Sequence, residues 1–331
     1  VNAKLYLDPT DGPGIEDYAR RAGILGPDEP FVGASRAGNG NMNLTLRLET
    51  GSRSVILKQA RPWVEKYPHI PAPADRALVE IAFYETVRQR PAVREAMPAL
   101  LDTDPGARVL VLEDLGAALD LTSIYAGPMP SSGDIDTLGA YLRALHEPWP
   151  SDSVPALFAN REMRRLNHEH IFRLPLVADN GIDLDAITPG LATVSKELTT
   201  DRAYVDRVTE LGALYLEDGD RLLHGDFFPG SWLSTPNGVR VIDPEFGFLG
   251  PPAFDVGVML AHFRLAAMPD DLARRSLDVY GPTDETLSLA RGFAGVEIMR
   301  RLVGVAQLPI DFDLERKQGL LELSKELVLH A

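Results

Sequence analysis

Two aspartates seventeen positions apart carry the strongest chemical signal in this chain of 331 residues. Asp226 follows an apolar Leu222-Leu223 pair, in the segment His224-Gly225-Asp226-Phe227-Phe228-Pro229-Gly230-Ser231. Asp243 ends a strand-like Val239-Arg240-Val241-Ile242 and opens Asp243-Pro244-Glu245. A loop carboxylate can accept or orient the proton of a substrate hydroxyl. A second carboxylate at the end of a strand can hold Mg²⁺ against the phosphates of a nucleotide. Asp226 takes the first role in this reading and Asp243 the second. Glu245 offers a further carboxylate to the metal, and Ser231 a hydroxyl, directly or through water. Asp226 alone reads as a turn or helix-cap residue. Joined by a short hairpin, the two read as one site, with His224 as a structural support for the loop.

Further upstream, Lys58 ends the apolar run Val55-Ile56-Leu57. A lysine there can reach α- and β-phosphates and pair with a glutamate on the helix that follows. Glu80 is the candidate partner and Glu85 the reserve; five positions apart, they are about 500° apart around a helix and need not share a face. Gly38-Asn39-Gly40-Asn41 lies between Phe31-Val32 and the alternating Leu44, Leu46 and Leu48, which is a hairpin signal. Its backbone could close over phosphates. A resemblance to the protein-kinase order of motifs would place an interlobe hinge at Glu113-Asp114-Leu115, and implies that backbone groups at Glu113 and Leu115 bind adenine there.

The elements that must position these residues divide unevenly. The first stretch reads as mostly strand, then a proline-rich loop, then a helix from a cap at Asp75 to about Arg90. Residues 108–113 read as a buried strand, and Asp114-Leu115-Gly116 as a change of direction. Beyond it the spacing predicts helices at about 133–146, 161–173, 185–216, 252–267, 284–308 and 312–329, interrupted by the strand-like segments around Asp226 and Asp243. The expected fold class is α+β: a small antiparallel-sheet nucleotide-binding lobe over residues 1–115, and a large helical lobe over 116–331 with the catalytic loop, metal site and substrate site.

The composition, 45% hydrophobic and 24% charged, is that of a globular chain large enough for two lobes. A net charge of −15 argues against nucleic acid as a partner. The absence of cysteine excludes disulfides and thiolate metal sites. No apolar run is long enough to span a bilayer, so no membrane partner is expected and the reading points to the cytoplasm. His168-Glu169-His170 does not read as a metal site, because residues two apart on a helix diverge by about 200°.

The order of glycine hairpin, lysine strand, hinge, His-x-Asp loop and metal aspartate resembles that of protein kinases. In detail the sequence resembles the aminoglycoside phosphotransferase and choline kinase superfamily and, within it, the methylthioribose kinase family. The carriers run from about residue 36 to 310: Gly38-Asn39-Gly40-Asn41-Met42-Asn43; Ile56-Leu57-Lys58-Gln59-Ala60; Asp75-Arg76-Ala77 with Glu80; Gly230-Ser231 where an asparagine is usual; Ile242-Asp243-Pro244-Glu245-Phe246; Phe254-Asp255-Val256-Gly257; and Met299-Arg300-Arg301-Leu302. The resemblance implies a protein-kinase-like two-lobe fold, ATP and Mg²⁺ as cofactors, and transfer of the γ-phosphoryl group to a sugar hydroxyl, with the anomeric hydroxyl of 5-methylthioribose or a close analogue first in line. It implies that Arg300 and Arg301 contribute to the sugar site, that Asp255 braces the catalytic loop, and it leaves room for a homodimer. Read as helix residues, the two arginines are about 100° apart, so one is expected to face the cleft while the other pairs elsewhere. Phe227-Phe228-Pro229 departs from the family's usual Leu-His-Thr, which changes the surface beside Asp226. The alternatives are an aminoglycoside phosphotransferase or other small-alcohol kinase, which the acidic charge suits and the arginine pair opposes, and a non-catalytic nucleotide-binding module, which the retained lysine and aspartates oppose.

Overall fold

A computed structural model describes residues 6–38, 40–150, 154–308 and 310–331. Five antiparallel strands form one sheet in the order Phe31–Arg36, Leu44–Thr50, Ser54–Gln59, Val109–Glu113, Leu100–Asp104. The period-two alternation of strand side chains separates two cores. Leu44, Leu46, Leu48, Val55, Leu57, Val109 and Val111 pack against Ile15 and Tyr18 of an N-terminal helix, Gly12–Arg21. Ile56, Leu110 and Leu112 face the other way, into a large core shared with the helix Arg76–Val87 and the helices that follow. Lys58 has the parity of Ile56. The strand therefore turns its amine toward that helix, not toward the small core.

The helix Arg76–Val87 is buried over ten of its twelve residues, because it is clasped between the sheet and the turn Pro244–Phe246. Its start differs from expectation. Asp75 makes no cap bond; its carboxylate takes the Arg108 guanidinium at 2.7 Å and 2.9 Å instead.

The remaining helices follow the spacing with four differences. The segment expected as one helix over 185–216 is three, Leu184–Ile187, Leu191–Thr199 and Arg202–Leu216. Pro189 with left-handed Gly190 ends the first, and Asp201 caps the third through Tyr204 N–H. The helix Arg161–His168 widens into a π-turn, Glu169–Arg173. The helix Gly12–Arg21, capped by Asp11, and the helix Asp270–Tyr280, introduced by Pro269, were not read from the sequence. The long helix Asp284–Val303 stops before Gly304, short of the expected 308.

The strand-like pieces around the two aspartates do not pair with one another. Arg221–Leu223 pairs with Phe248–Gly250, and Trp232–Thr235 pairs with Gly238–Val241 and with Leu119–Asp120. The loop carrying Asp226 is thus held between two small sheets. Among the described residues no helix is long and apolar enough to cross a membrane.

Candidate active site

The loop around Asp226 is fixed by hydrogen bonds to its main chain, from the Asp255 side chain and from the loop's own His224 and Ser231. Gly225 has φ +84, and a Cβ there would run into the Phe246 carbonyl, so only glycine fits. The fully buried Asp255 carboxylate accepts the N–H groups of His224 at 2.7 Å and Gly225 at 2.9 Å. Asp255 is held in turn by His146 at 3.1 Å. His224 Nε2 donates to the Ile242 carbonyl at 2.9 Å. That bond fixes the tautomer and leaves Nδ1 to accept the Asp226 N–H at 3.3 Å. Burial lowers the His224 pKa and keeps the ring neutral. His224 and Asp255 are therefore braces, as read from the sequence. Phe227 is stacked flat on Tyr141 in the core, centroids 5.6 Å apart.

Ser231 is placed differently from the expectation of a direct metal ligand. It is buried, and its hydroxyl donates to the Asp226 carbonyl at 2.9 Å. That bond closes the loop on itself.

On the side of the five-stranded sheet, Lys58 Nζ lies 2.8 Å from Glu80 and 2.6 Å from Asp243. Glu80 is the lysine's partner, and Glu85 is exposed on the far face of the helix. Burial alone would lower the Lys58 pKa; the Asp243, Glu80 and Glu245 carboxylates outweigh it and hold the amine protonated. Burial also pushes Glu80 up, against the pull of Lys58. Asp243 adopts a left-handed backbone, φ 63 and ψ 49, uncommon for a residue with a side chain. Its carboxylate is still 39% exposed, open to the cleft beside the lysine.

Glu245 is buried behind Asp243. One oxygen, Oε2, accepts from Asn43 Nδ2 at 2.9 Å and lies 3.0 Å from Arg76 Nε. Gly38 (φ +71), Gly40 and Asn41 form the exposed tip between the first two strands; Asn39 lies outside the described residues. The Asn41 and Met42 carbonyls accept Lys66 and Glu65 N–H groups, tying the tip to the segment beyond Lys58. In the hinge segment Asp114 is gripped by Arg47 at 2.6 Å and 2.9 Å. Glu113 turns its carboxylate to Ala99 N–H at 3.0 Å, and its own N–H donates to the Ala99 carbonyl. Leu115 follows, half-buried.

Beside Asp226 both arginines converge, contrary to the expectation that one would pair elsewhere. Asp226 Oδ1 lies 3.5 Å from Arg300 and 3.7 Å from Arg301. The cause is Glu297, three and four residues earlier on the same helix. It bonds both side chains, Arg301 Nε at 2.7 Å and Arg300 through Nε and a second nitrogen at 3.0 Å. Burial would raise the Glu297 pKa; the two guanidinium groups and His262 hold it well below the carboxylate range. His262 donates Nε2–H to Glu297 at 3.0 Å and accepts the Tyr125 hydroxyl on Nδ1 at 2.6 Å. The Arg301 guanidinium also lies over the Phe228 ring, 4.5 Å from its centre. Phe228, where the family's loop has histidine, thus forms one wall of this corner.

Asp226 keeps a quarter of its side-chain surface open. Burial raises its pKa; Arg301 and Arg300 pull it down, and the negative charges of Glu297 and Asp243 push it up again, leaving it above the ordinary aspartate value. A carboxylate so placed is poised to take a hydrogen bond from a hydroxyl, between a cationic corner and the Lys58–Asp243 pair. Sequence reasoning missed Asn43 and Arg76 as partners of Glu245, and Glu297, His262 and Tyr125 as supports of the arginines. Only Glu297 left a legible trace, its spacing of three and four residues before the arginine pair.

Comparison with known proteins follows the same lines. Residues 33–288 match the model of the phosphotransferase enzyme family, APH. A methylthioribose kinase of Exiguobacterium sibiricum is 29% identical over 94% of this chain and 91% of that protein. A methylthioribose kinase of Bacillus cereus is 25% identical over 87% and 83%. Among solved structures, the AMP-bound spectinomycin phosphotransferase APH(9)-Ia aligns with a TM-score of 0.57 at 14% identity, covering 96% of this chain and 98% of that one. A choline/ethanolamine kinase family protein of Mesorhizobium loti aligns at 0.52 and 17%, covering 95% and 94%. These structures share the protein-kinase-like fold.

Proposed function

We propose, from the premise that this chain belongs to the phosphotransferase enzyme family, that it transfers the γ-phosphoryl group of ATP to a hydroxyl of a small sugar. The anomeric hydroxyl of 5-methylthioribose or a close analogue is the first candidate. In this reading residues 1–115 bind the nucleotide, with the adenine against the backbone at Glu113 and Leu115 and the phosphates under Gly38–Asn41 and on Lys58. Residues 116–331 carry the catalytic loop and the sugar site.

The observation that carries the reading is the convergence of Arg300 and Arg301 on Asp226, across from the Lys58–Asp243 pair. Asp226 orients the acceptor hydroxyl and takes its proton as the new oxygen–phosphorus bond forms and the bond from the γ-phosphorus to the β,γ-bridging oxygen breaks, ADP leaving with that oxygen. The guanidinium groups offer fixed donors to sugar oxygens and to the charge on the transferring group. Such catalysis is positioning and electrostatics, with little covalent work for the protein. A corner with two guanidinium groups repels an aminoglycoside's ammonium groups. The relatives named as methylthioribose kinases support the choice of sugar.

The residues present fit Mg²⁺. Asp243 and Glu245 are hard oxygen donors two positions apart, and no cluster of three or more potential ligands occurs among the described residues. Mg²⁺ takes one or two carboxylates and completes its shell with substrate phosphates and water. When bound, it would neutralise the phosphate oxygens of the nucleotide. Ser231, its hydroxyl donating to the Asp226 carbonyl, would take part through water.

An ADP-release assay with Mg-ATP tests the substrate, using 5-methylthioribose, 5-deoxyribose, ribose, choline, homoserine and kanamycin as acceptors. Turnover is expected on methylthioribose first and on the other pentoses more weakly. Turnover confined to kanamycin or choline would overturn both the sugar and the role given to the arginines.

A further inference from the structure

The Glu245 carboxylate is the meeting point of two side chains from the sheet-rich part of the molecule. Arg76 is buried completely, and its guanidinium is bonded all round. Nε reaches Asn43 Oδ1 at 2.9 Å and Glu245 at 3.0 Å. One terminal nitrogen donates to the Arg61 carbonyl at 2.8 Å and the Pro73 carbonyl at 2.9 Å. The other donates to the Met42 carbonyl at 2.7 Å and the Trp63 carbonyl at 3.3 Å. Asn43 completes the triangle by donating its amide to the same Glu245 oxygen at 2.9 Å. A buried arginine is costly to desolvate. A fork that satisfies six acceptors across four chain segments has a purpose beyond packing.

We propose that Arg76 and Asn43 are positioning residues for the metal. They anchor Oε2 of Glu245 so that the other oxygen, which has no hydrogen-bond partner among the described residues, is presented beside Asp243. This inference rests on the phosphotransfer reading. It adds a coupling that the individual ligands do not contain. Asn43 and Met42 belong to the hairpin that carries Gly38–Asn41, so the segment that lies over the phosphates and the carboxylate that faces the metal are joined through one guanidinium. Displacing the hairpin displaces Glu245. A nucleotide that orders the hairpin therefore tightens metal binding, and the metal tightens the nucleotide to the same degree. On the other side Asn160, itself in a left-handed conformation, donates to the Gly247 carbonyl at 3.0 Å and holds the metal segment from behind.

Outer partners of ligating carboxylates typically control metal affinity by about 10- to 100-fold. The test is an electron paramagnetic resonance titration of Mn²⁺ on the full chain, with and without ADP, for the unaltered protein, Asn43→Ala and Arg76→Lys. Nucleotide binding without metal and thermal unfolding are measured beside it. Asn43→Ala removes two hydrogen bonds at the edge of the network and guards against an Arg76 variant that fails to fold. The expected result is Mn²⁺ affinity in the presence of ADP weakened about tenfold or more in Asn43→Ala and in folded Arg76→Lys, metal-free ADP affinity unchanged, and turnover recovered at high Mg²⁺. Unchanged Mn²⁺ affinity in folded Asn43→Ala would overturn the proposal, as would an equal loss of metal-free ADP binding, which would make Asn43 part of the nucleotide cradle. An unaltered protein that binds ADP but no Mn²⁺ would overturn the metal site and this inference together. One that binds neither would overturn the phosphotransfer reading itself.

Discussion

Asp226 and the two arginines beside it would be a poor arrangement without Glu297. Two guanidinium groups within 4 Å of one carboxylate would draw it into a closed ion pair and lower its basicity. Glu297 divides their attention: it takes the shorter bonds, and Asp226 is left at 3.5 Å and 3.7 Å. The negative charge of Glu297 also raises the Asp226 pKa. A Glu297→Gln variant keeps the shape and removes the charge. It is expected to lose about 100-fold in kcat/KM, the scale of one preorganised charge in a water-poor site. The acid limb of its pH–rate profile moves to lower pH, because the arginines then act on Asp226 unopposed. A profile whose acid limb stays in place would show that Glu297 does not tune the base. The arginine pair was visible in the sequence and its convergence was not. The helical angle of 100° argued for divergence, and long side chains bonded to a common carboxylate overrode it.

At the scale of elements, three pieces meet at His262: the 3-10 helix Leu121–Ala126 through Tyr125, the helix Ala253–Leu265 through His262 itself, and the helix Asp284–Val303 through Glu297, Arg300 and Arg301. Burial pushes the His262 pKa down to about 4, with Glu297 opposing and the arginines assisting. The folded state therefore holds the ring neutral, whereas an unfolded histidine titrates near 6.5. Between those values the unfolded chain binds more protons, so stability rises with pH. The contribution is complete above about pH 6.5 and is lost progressively as the pH falls toward 4, with a total of at most about 3 kcal/mol by linkage. Urea unfolding between pH 4 and 7 checks this. The unaltered protein is expected to show that slope and His262→Gln a flatter one; equal slopes would place the acid sensitivity elsewhere. The elements themselves were largely legible. The strand alternation of Leu44, Leu46 and Leu48 and the parity of Lys58 follow from period two, and the helix spacing held wherever no breaker intervened. The helices Gly12–Arg21 and Asp270–Tyr280 escaped although each start carries a proline within two positions of an aspartate, because these surface helices bury only three and two residues. The long segment before Leu216 looked continuous because its breaks rest on single turns at Gly190 and Asp201.

Across the whole molecule, the site lies where three long-range links cross. Lys58 reaches Asp243 over 185 positions, Asn43 reaches Glu245 over 202, and Asp226 meets Arg300 and Arg301 from the far end of the chain. The order of motifs was readable from residue types and spacing. The side chains that join them were not, since a buried arginine such as Arg76 has the same sequence appearance as an exposed one. Matches over residues 33–288 to the phosphotransferase enzyme family agree with that order. The account stands on Asp226 as the group that engages the acceptor hydroxyl, with the nucleotide side intact without it. The direct measurement is phosphoryl transfer from Mg-ATP to 5-methylthioribose by Asp226→Asn beside the unaltered enzyme, with ADP affinity measured on both. The account predicts a fall of about 10²–10⁴ in kcat, the usual range for a positioned proton acceptor, with ADP binding unchanged. A variant that keeps its kcat, and only loses affinity for the sugar, would contradict it.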